Sequence, residues 1–348
     1  MPSRVKKWRG ALIGYGFIAS RGHLPAYQQL SDRFEIVAIA DPCEARLAAA
    51  RQALPEGRFY TDAFELMERE SLDFVDICTP PVLHFEAAQA ALGRGFHVIC
   101  EKPLTCRLDE ADRLRELARA QGRVLFPAHC YLYAPVIEAV TRHLQDGVIG
   151  PPHSLCFQVY RISHAKGLPE WNPDWRRILA YSGGGIGMDH GSHAFYLAER
   201  WLGSKPNTVK ARTETASQTF IDTEDLLEAR VEFPRGLLDI HLSWQSNQRR
   251  VIYKIQGEHG SIQIDDDKVE IRQTGKQPKL FEFPSNWEDA GHSGWFSKLF
   301  ERFDQQLHLG KTDSVELDEA LSCVEIIQAC YRSAQSHRMV TFPERGIR

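Results

Sequence analysis

The stretch G-A-L-I-G-Y-G-F-I-A-S, residues 10–20, decides the fold. GALIG is a short apolar run with no polar alternation, the pattern of a strand buried on both faces of a sheet. G-Y-G-F-I-A, Gly14 to Ala19, then turns the chain, and a helix is expected from Ile18 to Leu30. Gly14 permits a tight turn, Gly16 leaves the backbone bare, and Ala19 lets the helix pack closely on the strand. Strand, glycine turn and helix in unbroken succession open a β-α-β unit.

Outward from this unit the alternation continues. Strands are expected at Phe34 to Ala40, Phe74 to Cys78, Phe96 to Cys100 and Val124 to Pro127. Between them helices are expected at Cys43 to Leu54, Leu83 to Arg94 and Leu108 to Gln121. Continuous apolar strands alternating with amphipathic helices predict a parallel sheet covered on both faces, an α/β Rossmann domain over residues 1–128. From Pro135 a helix runs to about Asp146, and the pattern then changes. Strands follow one another at His153 to Arg161, Thr208 to Glu214, Glu228 to Phe233, Leu237 to Trp244, Arg250 to Gln256, Ser261 to Asp265 and Lys268 to Gln273. Short turns such as PRG and EHG join several of them, so residues 129–348 form an α+β domain on a large, mostly antiparallel open sheet. A last helix, Leu317 to Ser336, is free to pack back on the N-terminal domain.

The chain has 348 residues, enough for two domains, with 43% hydrophobic and 25% charged residues. A net charge of −4 with dispersed lysines and arginines gives no nucleic-acid footprint. No apolar stretch approaches the roughly 18 residues of a membrane span. The basic start MPSRVKKWRG leads straight into a strand rather than into a secretory apolar region, so a cytoplasmic protein is expected. None of the eight cysteines forms a CxxC pair, and several lie in apolar runs, as reduced buried thiols do; no metal site is expected.

Four segments carry candidate chemistry. Asp41 lies 22 residues beyond Ala19, the spacing of a dinucleotide-binding turn. Gly14, Gly16, Phe17 and Ile18 would then hold a pyrophosphate at a helix N-terminus, and Asp41 would accept from the ribose hydroxyls, which favours NAD. Arg46, one turn on, leaves NADP open. T-P-P-V-L-H follows a strand end, where ligands of doubly wound sheets bind, so Thr79, Pro80 and His84 join the cofactor candidates. V-I-C-E-K-P-L-T, residues 98–105, carries Glu101 and Lys102 out of a buried strand at the same rim. An ammonium there is costly unless partners or substrate oxygens compensate, so Lys102 is a candidate for work on a substrate as well as a loop-pinning ion pair. In S-G-G-G-I-G-M-D-H-G-S-H, Asp189 and His193 are four apart on one expected helical face. They are either an acid–base pair or, for the histidine, packing under Trp201. Arg161, His164, Lys166, Arg176 and Arg177 would serve an anionic substrate or a solvated loop equally well.

In combination GYGFIA, ADP ending at Pro42, EKP at 101–103 and GGGIGMDHGSH at 183–193 resemble the Gfo/Idh/MocA oxidoreductases, and the likeness runs nearly end to end. H-L-P-A at 23–26, E-D at 224–225, S-W at 243–244 and G-E-H-G-S at 257–261 are similar to family features too. The resemblance implies an NAD(P)-dependent enzyme acting on a secondary alcohol of a sugar, cyclitol or derivative. It makes Lys102 the active-site lysine, before a commonly cis Lys-Pro bond, with His193 the acid–base histidine and Asp189 a substrate-binding aspartate. Trp175 and Arg176 look like the family's Trp-Arg pair, and His129 matches a substrate-side histidine. Cys130 and Leu132 depart from the asparagine and arginine common there. The resemblance also admits a dinucleotide-binding sensor, a transient-oxidation glycoside cleavage, or a dihydrodiol or imine reduction. A homodimer or homotetramer through the C-terminal sheet is expected.

Overall fold

The computed structural model describes residues 6–215, 222–284 and 291–343. The described residues divide into two compact units. Met1–Tyr133, Lys166–Trp175 and Trp287–Leu321 make the first, and Ala134–Ala165, Arg176–Asn286 and Ser322–Arg348 the second.

The first unit is built on six parallel strands: β1 Trp8–Ile13, β2 Phe34–Ala40, β3 Arg58–Tyr60, β4 Phe74–Ile77, β5 His97–Cys100 and β6 Leu125–Pro127. Their order is β3-β2-β1-β4-β5-β6, so the chain starts in the middle, builds outward, and crosses back to β4. That reversal between β1 and β4 is the switch point outside which a doubly wound sheet binds ligands. Alternate residues feed two cores. Ala11, Ile13, Val75, Ile77 and Val98 pack with Ala88, Ala91 and Leu92 of helix His84–Gly93 and with Ala111, Leu114 and Ala118 of helix Leu108–Gln121. Leu12, Phe34, Phe74, Ile99 and Phe126 face the other way, against Phe296, Leu299, Phe300 and Phe303 of helix Ser293–Leu309. Tyr27 stacks on Phe300 with ring centroids 3.9 Å apart.

Helix Ser293–Leu309 is an element the sequence reading does not contain, although its buried residues recur at helical spacing. Helix Ala63–Arg69 and strand β3 are likewise additions, both too short to give a local pattern. The helix expected from Ile18 to Leu30 is a π-helical turn, Ala19–His23, followed by α-helix Leu24–Gln29.

The second unit holds nine strands: β7 Pro152–Tyr160, β8 Thr208–Glu214, β9 Leu226–Phe233, β10 Gly236–Ser243, β11 Arg250–Gly257, β12 Gly260–Asp265, β13 Lys268–Gln273, β14 Lys279–Glu282 and β15 Val340–Thr341. Their order is β14-β13-β12-β11-β7-β10-β9-β8-β15, and β7 with β10 is the one parallel pair among them. Helix Ser192–Leu202 packs on β7 and β10, over Leu155, Phe157, Leu238 and Leu242. The opposite face is charged: Glu228 accepts from Arg212 at 2.5 Å and pairs with His241 at 2.7 Å, and Arg230 donates to Asp239 at 2.8 Å. None of the eight cysteines forms a disulfide. Among the described residues no helix is long and apolar enough to cross a membrane.

Candidate active site

The glycine turn leaves β1 with Gly14 at φ 86°, a left-handed conformation that favours glycine. A Cβ there would sit 3.0 Å from the carbonyl of Cys78 and the amide of Thr79, so the turn abuts the end of β4. A Cβ on Gly16 would meet nothing within 4 Å, so no neighbour within the chain demands glycine there. Thr79 Oγ1 is buried without a hydrogen-bond partner among the described residues. A bare backbone at Gly16 and an orphaned hydroxyl at Thr79, both at the switch point, are features that a phosphate- and ribose-bearing cofactor would satisfy.

Asp41 follows β2 directly. One carboxylate oxygen accepts from the Tyr15 amide at 2.7 Å and the other from the Cys43 amide at 2.8 Å. Burial pushes its carboxyl above the ordinary aspartate range, against the pull of those two amides and of Arg46. Arg46 is committed within the chain: Nε donates to the Tyr15 carbonyl at 3.0 Å, and Nη1 lies 3.7 Å from Glu170. Glu170 arrives from a distant segment, residues 166–175, whose backbone carbonyl at Glu170 also accepts from the Cys43 thiol at 3.4 Å. Phe17 is exposed at the turn, and Ile18 packs on the core beneath it.

At the next rim position His84 is fully buried, with Nδ1 2.8 Å from the Pro103 carbonyl and Nε2 2.8 Å from the Thr79 carbonyl. The ring lies between the T-P-P and E-K-P loops; burial lowers it below the ordinary histidine value, and the one N–H of a neutral ring donates to one of the two carbonyls. The Lys102–Pro103 peptide bond is cis. Glu101 lies beneath Lys102: one oxygen accepts from the Lys102 amide at 3.1 Å and the other faces His23 Nε2 at 3.1 Å. His129 is buried just beyond β6. Cys130, also buried, has its thiol pushed up to about 12 by burial and then by Glu101.

In the second unit Asp189 lies in a π-helical turn, Gly187–Gly191, and His193 in the α-helix that continues it. The sequence predicts a single regular helix here; a π turn widens the spiral where the glycines leave it room. Arg176 Nε lies 3.6 Å from Asp189 Oδ2, so two of the candidates are brought together as an ion pair. His190 approaches the same oxygen at 3.9 Å, and His193 Nδ1 lies 3.0 Å from the Tyr196 hydroxyl. Trp175 opens the 3-10 turn Trp175–Arg177 that carries Arg176.

The brace behind this group has no assigned role in the sequence reading. Glu224 accepts from the amides of Gly185 at 2.7 Å and Gly187 at 2.8 Å, and from the Tyr331 hydroxyl at 2.9 Å. Burial raises its carboxyl and those donors oppose the rise. A Cβ on Gly185 would stand 1.9 Å from the Glu224 carbonyl oxygen, so the third glycine of G-G-G is required by close approach. Beside it Arg177 and Asp225 form a buried ion pair, with the guanidinium 5.5 Å over the Trp244 ring. The acidic pair E-D before an apolar strand was the available signal.

Among the described residues one group could hold a metal ion: buried His23, Asp76 and Cys78. Hydrogen-bond contacts at 2.7, 3.4 and 3.5 Å join the three, engaging the atoms a metal would use.

Comparison with known proteins agrees with this architecture. Residues 8–129 match the GFO/IDH/MocA model described as an oxidoreductase family with an NAD-binding Rossmann fold, and residues 137–263 match the GFO/IDH/MocA C-terminal domain. A D-apiose dehydrogenase of Paraburkholderia graminis is 29% identical over 97% of this chain and 90% of its own length. A D-xylose 1-dehydrogenase (NADP(+)) of Haloferax volcanii is 26% identical over 93% of this chain and 97% of its own. The structure of a levoglucosan dehydrogenase with NADH and levoglucosan superposes with TM-score 0.84 at 21% identity, covering 97% of this chain and 100% of that one, which is a likeness of fold.

Proposed function

The chain belongs to the GFO/IDH/MocA oxidoreductase family, and on that premise we propose that it is an NAD-dependent dehydrogenase interconverting an alcohol and a carbonyl on a small sugar. The observation that carries this is the pairing of a cofactor turn at the β1/β4 switch point with a lysine on the adjacent strand end. The aldopentose names of two relatives point to a free pentose or a similar polyol.

When bound, the nicotinamide cofactor supplies the hydride acceptor or donor. The remaining work falls to side chains. In oxidation His193 takes the hydroxyl proton, the role its residue type suits at neutral pH. Lys102 donates a hydrogen bond to a substrate oxygen and stabilises negative charge that develops there. Asp189, oriented by Arg176, accepts from a neighbouring sugar hydroxyl; His129 and Trp175 line the substrate side. Gly14, Gly16, Phe17, Ile18, Thr79 and Pro80 hold the cofactor, with His84 buried behind the Thr79 loop rather than facing it and Glu101 beneath Lys102. NAD is preferred over NADP because Asp41 repels a 2′-phosphate while Arg46 is already engaged by Tyr15 and Glu170. Cysteines that form no disulfide accord with a cytoplasmic protein. The charged face of the nine-stranded sheet, which carries both signs in ordered rows, is proposed as a homo-oligomer interface.

The test is cofactor reduction, followed optically, with NAD and with NADP against D-apiose, D-xylose, other aldoses, inositols and sugar phosphates. Turnover of one sugar with NAD is the expected result. Bound cofactor that cycles without net reduction would instead indicate transient oxidation, and tight NADH binding with no turnover across all classes would indicate a sensor.

A further inference from the structure

Asp76 and Glu101 stand where a doubly covered parallel sheet has apolar residues. Phe74, Asp76 and Cys78 lie on one face of β4, and Ile99 and Glu101 on the same face of β5 and its extension, by the strand period of two. Asp76 is fully buried and Glu101 nearly so. Two carboxylates so close in a dry core would repel each other and lose hydration, a cost of several kcal/mol unless a cation is shared.

Between the two carboxylates lies His23. Its Nδ1 lies 2.7 Å from Asp76 Oδ2 and its Nε2 3.1 Å from Glu101 Oε1, with no exposed side-chain surface. A neutral imidazole has one N–H, so bridging two ionised carboxylates requires both nitrogens protonated. Every packed element takes part. From β4 come Asp76 and the Cys78 thiol, 3.4 Å from Nδ1; from helix Leu24–Gln29 the Tyr27 hydroxyl donates to Asp76 at 3.0 Å. Beyond β5 come Glu101 and Lys102, with the thiols of Cys100 and Cys130 near the glutamate. Helix Ser293–Leu309 presents uncharged rings, Phe296 at 4.2 Å and Phe300 at 5.3 Å from the imidazole. The π-helical turn Ala19–His23 delivers the ring to this place.

We propose that His23 is a positioning residue: held as an imidazolium between Asp76 and Glu101, it keeps Glu101 an ionised carboxylate beneath Lys102 and so fixes the charge and place of that lysine. Burial is the largest influence and works against the charged ring, but Asp76 and Cys78 together lift His23 well above the ordinary histidine value. Burial would raise Glu101, yet His23 and Lys102 hold it below the ordinary glutamate range. Asp76, His23 and Glu101 then alternate in sign along one chain of contacts, and the Lys102 charge acts on Glu101 through space. This rests on Lys102 being the cation of the site.

The test needs no substrate. Nitrogen-15 histidine spectra of the wild-type holoprotein with NADH should contain one imidazole with both nitrogens protonated at about pH 8, above the ordinary histidine range. That signal should shift in Glu101→Gln. A neutral ring at that position overturns the proposal. Acetylation of Lys102 at fixed pH, read by mass spectrometry against Lys6, should rise about three- to tenfold in His23→Gln and in Glu101→Gln, as a lysine pKa lower by about half to one unit gives. The double variant should label no faster than either single, since both act through one carboxylate. Additive effects, or an unchanged rate in His23→Gln, overturn the relay. If His23→Gln does not fold, the wild-type spectrum and the Glu101→Gln labelling decide. Full turnover in Lys102→Ala would remove the lysine's catalytic role and leave the imidazolium signal untouched, so the two readings fail separately.

Discussion

His97 begins β5, and its Nδ1 accepts from the Val124 amide at 2.9 Å, which ties β5 to β6 only while that nitrogen is unprotonated. Burial, with Arg123 and Lys6 adding to it, lowers its pKa to about 4. A histidine whose folded pKa lies below its unfolded value of about 6.5 contributes stability that is complete above that pH and is lost as pH falls toward about 4. His84 works in the same direction. His23 has the opposite sign: its contribution is complete below about pH 6.5 and is lost as pH rises through its raised value. We expect His97→Gln, whose amide oxygen can take the Val124 N–H, to flatten the fall in melting temperature between about pH 6.5 and pH 4. A melting curve as steep as that of the wild type would assign the acid loss elsewhere. At this scale local pattern singled out Gly14, Asp41, Lys102 and Asp189 as candidates and left the roles of the last two open. It was silent on the partners of His23 and Glu170, which lie 53, 78 and 124 residues away in the chain.

Elements carry a second set of consequences. Gly185 sits where a side chain would meet the Glu224 carbonyl, so Gly185→Ala should displace the loop that leads to Asp189 and destabilise the protein by about 1–3 kcal/mol. NADH binding, held in the first unit, should survive; simultaneous loss of both would contradict the separation of roles. The segment 166–175 makes a different prediction. Glu170→Gln should free Arg46 and strengthen NADPH binding about two- to fivefold, the range of a partly exposed ion pair, with NADH unchanged. An unaltered NADPH affinity by fluorescence titration would make Glu170 a bystander. Most strands of both sheets were legible because buried parallel strands are continuously apolar and open-sheet strands alternate. Helix Ser293–Leu309 has an equally regular stripe, yet nothing local says that it closes a sheet begun nearly three hundred residues earlier. The π turns at 19–23 and 187–191 add width that side-chain spacing does not record.

On the scale of the whole molecule, the order of strands in the first unit and the single parallel pair in the second follow from connections that cross the sheets, so neither was read from the sequence. The interface proposed on the charged face of the nine-stranded sheet makes salt-sensitive assembly the expected outcome. Light scattering at about 0.05 and 1 M salt is expected to show a larger particle at the lower concentration, since exposed ion pairs are screened within about 3 Å at 1 M. A monomer at both would exclude that face as an ionic interface. The central claim, however, is chemical. With the sugar that reduces NAD in hand, turnover is compared in wild type, Lys102→Ala and His193→Asn, alongside NADH affinity. Losses of about 10²-fold or more in turnover, with NADH affinity within about twofold of wild type, are predicted, because the proposal gives Lys102 the developing charge and His193 the proton. Turnover in Lys102→Ala equal to wild type would contradict the account.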